Sequence, residues 1–155
     1  MTPAVDVAKA AGVDFELHEY KHAAGKMPYG AEAAEKLGVP GHMVYKTLVV
    51  MADTGEMLVG IVPVTTSLSQ KAIARAAGVR KTVMAEVSQV ERVTGFVAGG
   101  VSPLGQRRVL RTFIDDAART LPRMYVSAGR RGLEISLAPL DLAELTKAAF
   151  VPLAQ

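Results

Sequence analysis

The stretch that most constrains the fold is residues 44–51, Val44-Tyr45-Lys46-Thr47-Leu48-Val49-Val50-Met51, where β-branched and apolar residues run together without glycine or proline. Such a run predicts a buried strand. After only Asp53-Thr54-Gly55-Glu56, a second run, Met57-Leu58-Val59-Gly60-Ile61-Val62-Pro63-Val64, predicts its antiparallel hairpin partner, with Pro63 near an edge or a strand end. Lys46 is the anomaly. An ammonium on a core strand must find a counter-charge or lose its proton, because an unpaired charge out of water costs several kcal/mol. One reading is a lysine facing a cleft, where it binds an anion or meets negative charge that develops in a reaction. The other is a lysine that reaches solvent along its alkyl stem or blunts a sheet edge.

A chain of 155 residues is expected to form one domain, residues 1–155, with a sizeable core. Half of the residues are hydrophobic and only 5% aromatic, so that core is built of Val, Leu, Ala and Met rather than stacked rings. The absence of cysteine excludes disulfides, thiolate metal sites and a cysteine nucleophile. His18, His22 and His42 lack zinc-motif spacing, and no metal site is expected. The N-terminus lacks a basic segment followed by an apolar run, and no apolar stretch approaches the ~20 residues that span a bilayer. A cytoplasmic protein without a membrane partner is the expectation.

The net charge of +3 is unevenly spread, with seven Lys/Arg against eight Asp/Glu in residues 1–78 and eleven against seven in residues 79–155. Arg107, Arg108, Arg111, Arg119, Arg123, Arg130 and Arg131 lie in one stretch whose only acids are Asp115 and Asp116. Such a cluster suits a polyanion such as RNA, or is simply a solvated surface.

Along the chain, Thr2-Pro3 predicts a helix start, with Gly12 as its stop. Residues 15–20 alternate as a half-buried strand. A loop over residues 23–30 carries Tyr29 into a helix over residues 31–37. Ser69 caps a helix over residues 70–77, residues 80–84 form a strand, and residues 85–94 a helix. Residues 108–114 are a strand, and residues 124–128 and 133–137 make a second hairpin around Gly129-Arg130-Arg131-Gly132. Glu134 and Ser136 alternate with Leu133, Ile135 and Leu137 and are expected on a solvated face. Pro139 opens a closing helix. Six to eight short strands with a few short helices imply a mixed α/β fold, a curved or barrel-like sheet flanked by helices.

Residues 94–105, Thr94-Gly95-Phe96-Val97-Ala98-Gly99-Gly100-Val101-Ser102-Pro103-Leu104-Gly105, hold four glycines and a proline among apolar residues. They predict an irregular segment that is nonetheless buried. It is either a nest of main-chain N–H groups for an anion or oxyanion, or a tight crossover between packed strands. Neither a phosphate-binding loop nor a dinucleotide fingerprint is present.

Taken together, Thr2-Pro3-Ala4-Val5, Val44-Tyr45-Lys46-Thr47-Leu48, the glycine segment through Gln106, Tyr125-Val126-Ser127 and Arg131-Gly132-Leu133-Glu134 resemble the YbaK/EbsC family of Cys-tRNA(Pro) deacylases, in order and over essentially the whole chain. The resemblance implies the fold of the editing insertion domain of prolyl-tRNA synthetases, a distorted mixed β-barrel with surrounding helices. It implies hydrolysis of cysteine mischarged onto proline tRNA, alongside prolyl-tRNA synthetase, with no cofactor and neither DNA nor a membrane as partner. Matched to the family, Lys46 and the N–H groups of Gly99 and Gly100 stabilise the ester oxyanion, with Ser127 and Glu134 beside them and Glu134 holding Lys46 charged. Tyr20 and Tyr29 sit near the pocket mouth, and Thr47 and Ser102 complete the substrate-binding set. Arg107, Arg108, Arg130 and Arg131 are the expected RNA contacts. Two positions depart from the pattern: the family has Phe where this chain has Tyr29, and Asp where it has Glu134. With no Ser-His-Asp arrangement in evidence, the implied chemistry is substrate-assisted, the cysteine thiol attacking its own ester. The same residues also fit a deacylase for another small amino acid such as alanine, or a non-catalytic tRNA- or nucleotide-binding module.

Overall fold

The computed structural model describes residues 1–155 apart from Ala24 and Lys26. Five α-helices and eight strands are formed among the described residues. They are α1 (Pro3–Ala11), β1 (Phe15–Glu19), α2 (Tyr29–Leu37), β2 (Tyr45–Ala52), β3 (Met57–Pro63), α3 (Gln70–Ala77), β4 (Thr82–Met84), α4 (Val87–Thr94), β5 (Arg111–Asp115), β6 (Met124–Arg130), β7 (Leu133–Leu137), α5 (Pro139–Thr146) and β8 (Ala149–Val151). Helix starts follow local chemistry: the hydroxyls of Thr2 and Ser69 accept from the N–H groups of Val5 and Ala72 at 3.2 and 3.1 Å.

The strands form two sheets rather than one closed barrel: a five-stranded sheet in the order β4-β2-β3-β5-β8 and a three-stranded sheet in the order β1-β7-β6. The β2–β3 hairpin pairs over its whole length, from Tyr45 opposite Pro63 to Met51 opposite Met57. Pro63 falls at the strand end, beyond Ile61 where the pairing of β3 with Arg111–Asp115 stops, so its missing N–H costs no ladder bond. The sheets meet at a single parallel bridge between Val44 and Tyr125.

Strand alternation sorts the core. Odd-numbered Tyr45, Val49, Val59 and Ile61 face the space between the sheets and pack with Ile114, Leu133, Ile135 and Leu137. Even-numbered Val50, Ala52, Leu58 and Val62 face the other way, with Ile73 of α3 over them. Further up that same face Val44 is covered by Ala33 and Ala34 of α2, together with Tyr20 and Tyr125. Lys46 is therefore placed between the parts of the sheet that α2 and α3 cover.

Several expectations shift. The loop expected over residues 23–30 includes Ala24 and Lys26, which lie outside the described residues, and Tyr29 belongs to α2. Residues 108–110 are irregular ahead of β5, and α4 starts at Val87 with Glu86 as its cap. Glu134 and Ser136 are buried, at 7% and 0% exposure, rather than solvated. β7 is the middle strand of its sheet, and on its second face Ser136 is engaged by His18 and Arg123 while Glu134 shares a cavity with Tyr20 and Tyr29, so alternation there separates two buried faces.

The C-terminal strand is tied down by Asp115, which is 6% exposed. Its carboxylate accepts from Leu153 N–H at 2.9 Å, Ala154 N–H at 2.8 Å and Ala117 N–H at 3.0 Å. Asp115→Ala strands three donors, the Leu153 N–H buried and those of Ala154 and Ala117 part-buried, and should destabilise the fold by about 3 kcal/mol, at roughly 1–3 kcal/mol per orphaned group with partial relaxation. Urea denaturation checks this; a loss below about 1 kcal/mol would show that other groups or solvent satisfy these amides.

Candidate active site

The uneven pairing of β2 makes the site. β4 pairs only with its last three residues, from Val50 opposite Met84 to Ala52 opposite Thr82. Val64 N–H donates to Val44 O at 2.8 Å and Ala52 N–H to Glu56 O at 2.8 Å, so even-numbered residues direct their main chain to β3. Odd-numbered residues direct theirs to the opposite edge, where Val49 O accepts from Ala85 N–H at 3.0 Å. Between that bond and the Val44–Tyr125 bridge the edge carries no partner strand, and the main chain of Thr47 faces the gap.

A cavity of about 280 Å³ occupies this gap, lined by Tyr20, Tyr29, Tyr45, Lys46, Thr47, Leu48, Gly99, Val101, Ser127 and Glu134, with Pro28 and Gly30 at its margin. Its size is at the lower end for ligand pockets. Each wall has a local cause. Tyr20 follows β1 and is held by its N–H to Gly132 O at 3.0 Å. Tyr29 opens α2, and from within that helix Glu32 holds His22 and Ala23, accepting from Ala23 N–H at 2.9 Å and pairing with His22 Nδ1 at 2.7 Å and Lys36 Nζ at 3.4 Å. The Ala23 N–H, then His22, hold the Glu32 carboxyl down at about 2. Ser127 and Glu134 face each other across the β6–β7 ladder.

Gly99 stands third in a turn at residues 97–100, closed by Gly100 N–H donating to Val97 O at 2.9 Å. Its φ of +83° is the left-handed value that the third position of a type II turn requires. A Cβ there would also lie 2.7 Å from the Tyr29 ring. Glycine is thus demanded twice, by backbone and by contact.

The electrostatics are those of a buried acid beside a partly exposed base. Burial pushes the Glu134 carboxyl up to about 8. The Tyr20 phenol is raised by burial and then by the charge of Glu134. Burial, with Asp115 adding to it, pushes the Tyr45 phenol up to about 12. The hydroxyls of Tyr45 and Thr47 are buried without a hydrogen-bond partner among the described residues.

This geometry belongs to a chain whose residues 27–145 match the family model described as an aminoacyl-tRNA editing domain. The chain belongs to the aminoacyl-tRNA editing domain family. Among curated proteins it is 34% identical over 133 residues to EbsC of Enterococcus faecalis, a proposed Cys-tRNA(Pro)/Cys-tRNA(Cys) deacylase, covering 85% of this chain and 81% of EbsC. Among solved structures it superposes on a proposed trans-editing enzyme for prolyl-tRNA synthetase with a TM-score of 0.82 at 22% identity, covering 100% of this chain and 99% of the other. It superposes on the hypothetical protein APE2540 with a TM-score of 0.85 at 24% identity, covering 99% and 100%. The fold is the YbaK-like editing-domain fold.

Of the editing-domain residues expected from sequence, Lys46, Gly99, Ser127, Glu134, Tyr20, Tyr29 and Thr47 line one cavity. The others do not. Gly100 is buried with its N–H committed to Val97 O, and it lacks a Cβ because one would lie 2.8 Å from Arg130 Cα, so it is a packing glycine and not an oxyanion donor. Ser102 is fully buried, its Oγ accepting from Leu104 N–H at 3.2 Å and its carbonyl from Gln106 Nε2 at 2.9 Å, which makes it a turn residue away from substrate. The expected Lys46–Glu134 ion pair is not formed: no carboxylate lies within 4.0 Å of Lys46 among the described residues.

The arginine cluster disperses. Arg130 pairs with Glu19 at 3.4 Å, Arg107 packs against Gly95, and Arg108 lies by Val109 and Leu110 outside the cavity. Arg131 donates to Ala98 O at 2.7 Å, with its guanidinium 5.0 Å from the Tyr29 centroid. What sequence reading missed are the anchors Glu32 and Glu91, the latter accepting from Ala98 N–H in the glycine turn at 2.9 Å. For Glu32 a signal existed, a glutamate four residues before Lys36 and flanked by helix-face alanines.

Because the folded chain keeps the Glu134 proton between pH 4.5 and about 8 while the unfolded chain releases it, the contribution of Glu134 to stability is fullest below pH 4.5 and declines across that window. Glu134→Gln removes the ionisation with little change of shape. Its melting temperature should exceed that of the wild type by several degrees near pH 8.5 and match it near pH 5, by differential scanning calorimetry. Equal melting temperatures at both pH values would show that Glu134 titrates as an ordinary carboxylate.

Proposed function

We propose that the chain is a trans-acting editing hydrolase that removes cysteine from mischarged proline tRNA, alongside prolyl-tRNA synthetase. The observation that carries this reading is the small cavity in which Lys46, the Gly99 turn and the buried Glu134 converge beneath Tyr20 and Tyr29. Family membership and the similarity to EbsC support the substrate class.

The protein offers no activated nucleophile of its own among the described residues. Ser127 Oγ accepts from Gly129 N–H at 3.2 Å and has no histidine beside it, and His18 Nε2 is engaged with Ser136 Oγ at 2.7 Å. Substrate assistance removes the need for one. The cysteine sulfur, giving up its proton, attacks its own ester carbonyl, and the carbonyl oxygen gains the negative charge. The Lys46 ammonium and the Gly99 N–H meet that charge inside a site of low dielectric, where such donors act most strongly. Collapse breaks the bond to the ribose oxygen, which takes a proton to regenerate the tRNA hydroxyl. The cyclic thioester that remains is opened by water to free cysteine. Glu134, which lacks a cation within the protein, is the group that receives the α-ammonium of the aminoacyl moiety, giving up its proton as that cation arrives, since an adjacent positive charge favours the ionised carboxylate.

The test is time-resolved ester loss from proline tRNA charged with cysteine, alanine or proline. Cysteine should be released at least ~10-fold faster than alanine, which lacks the thiol and differs little in packing. Lys46→Ala should lower the turnover by about 10²-fold or more with tRNA binding retained, the usual effect of deleting an oxyanion donor. Faster loss of alanine would redirect the assignment to another small amino acid. Inertness towards all three, with binding intact, would make the chain a tRNA-binding module.

A further inference from the structure

Hydrogen bonds tie down four main-chain atoms of the glycine turn at residues 97–100. Gly100 N–H is taken by Val97 O at 2.9 Å. Ala98 N–H donates to Glu91 Oε2 of α4 at 2.9 Å, and Ala98 O accepts from Arg131 Nε at 2.7 Å. Among the described residues, the Gly99 N–H makes no hydrogen bond. It belongs to the same peptide unit as Ala98 O, and in a trans peptide the N–H and C=O point in opposite directions. Whatever holds the carbonyl therefore aims the amide.

Types I and II turns differ by a half-rotation of this central peptide. The third residue needs a left-handed φ only in type II, and glycine admits both forms. Nothing within the turn itself selects one. Arg131 does so by bonding the carbonyl of Ala98, a residue that does not line the cavity, while Glu91 fixes the preceding amide. The same guanidinium lies over the Tyr29 ring, against which Gly99 is packed.

We propose that Arg131 is a positioning residue, not a phosphate contact: it selects the type II form of the turn and thereby presents the Gly99 N–H to the reacting carbonyl, with Glu91 as its counterpart on the neighbouring amide. This rests on Gly99 acting as the oxyanion donor. It reassigns a residue whose place in an arginine-rich hairpin points to RNA.

Kinetics and spectroscopy separate the two roles. For Arg131→Ala and Arg131→Lys, kcat and KM for deacylation of Cys-tRNA(Pro) are measured across a salt series, and the Gly99 amide resonance is followed by 15N–1H correlation. Positioning predicts that Arg131→Ala lowers kcat by ~10- to 100-fold, below the effect of deleting a donor outright, with KM and its salt dependence unchanged. The Gly99 resonance moves, and lysine, which can still reach Ala98 O, restores part of kcat. A phosphate contact predicts the reverse: unchanged kcat, a raised KM and a salt slope reduced by about 0.7–1; this would overturn the proposal. So would a fall in kcat with the Gly99 resonance unmoved. If the wild-type chain turns over no aminoacyl-tRNA, the catalytic reading fails, while the Gly99 resonance still decides whether Arg131 sets the turn.

Discussion

The whole site depends on one mismatch of strand lengths. β2 has eight residues paired to β3 along nearly all of them, but β4 has only three, so the far edge of β2 is left without a partner over its first half. Unpaired strand edges in most proteins are blunted or covered, because their N–H and C=O groups invite pairing with other chains. Here the gap is roofed by Tyr20, Tyr29 and the glycine turn, and floored by Ser127 and Glu134 of the second sheet. Its position follows from the hairpin register.

Burial then assigns the chemical roles. Glu134 sits on a strand covered on both faces, and the resulting desolvation holds its proton at neutral pH. Lys46, on the same side but partly exposed in the gap between α2 and α3, keeps access to solvent. With no ion pair between them, both side chains stay open to the cavity, the acid holding its proton and the amine without a carboxylate partner among the described residues. The glycine turn adds a donor without a side chain, which lets Tyr29 close directly over it.

Much of this was legible in sequence because it is local or periodic. The hairpin around Asp53-Thr54-Gly55-Glu56, the caps at Thr2 and Ser69 and the stop at Gly12 each follow from a few neighbouring residues. Lys46 stood out because it breaks an apolar run. The environment of Glu134 did not, because alternation with Leu133, Ile135 and Leu137 reads the same whether the second face meets solvent or a helix. The short strand β8 escaped notice for a related reason: three residues pair only because Asp115 captures the amides that follow them. The arginines were misleading as a group. Nearness in sequence said nothing of the partners Glu56, Glu19, Asp14 and Ala98 O that distribute Arg111, Arg130, Arg123 and Arg131 over separate surfaces.

The most direct measurement is titration of the 15N-labelled chain with a hydrolysis-resistant mimic, adenosine whose 3′ position carries cysteine through an amide bond. A site at the open β2 edge predicts resonance changes centred on Thr47, Gly99, Ser127 and Glu134, and their loss when the α-amino group of the mimic is acetylated. Saturable changes confined to other surfaces, such as the polar cleft of Arg92 and Arg108, with the residues around the β2 edge unmoved, would contradict a catalytic cavity there.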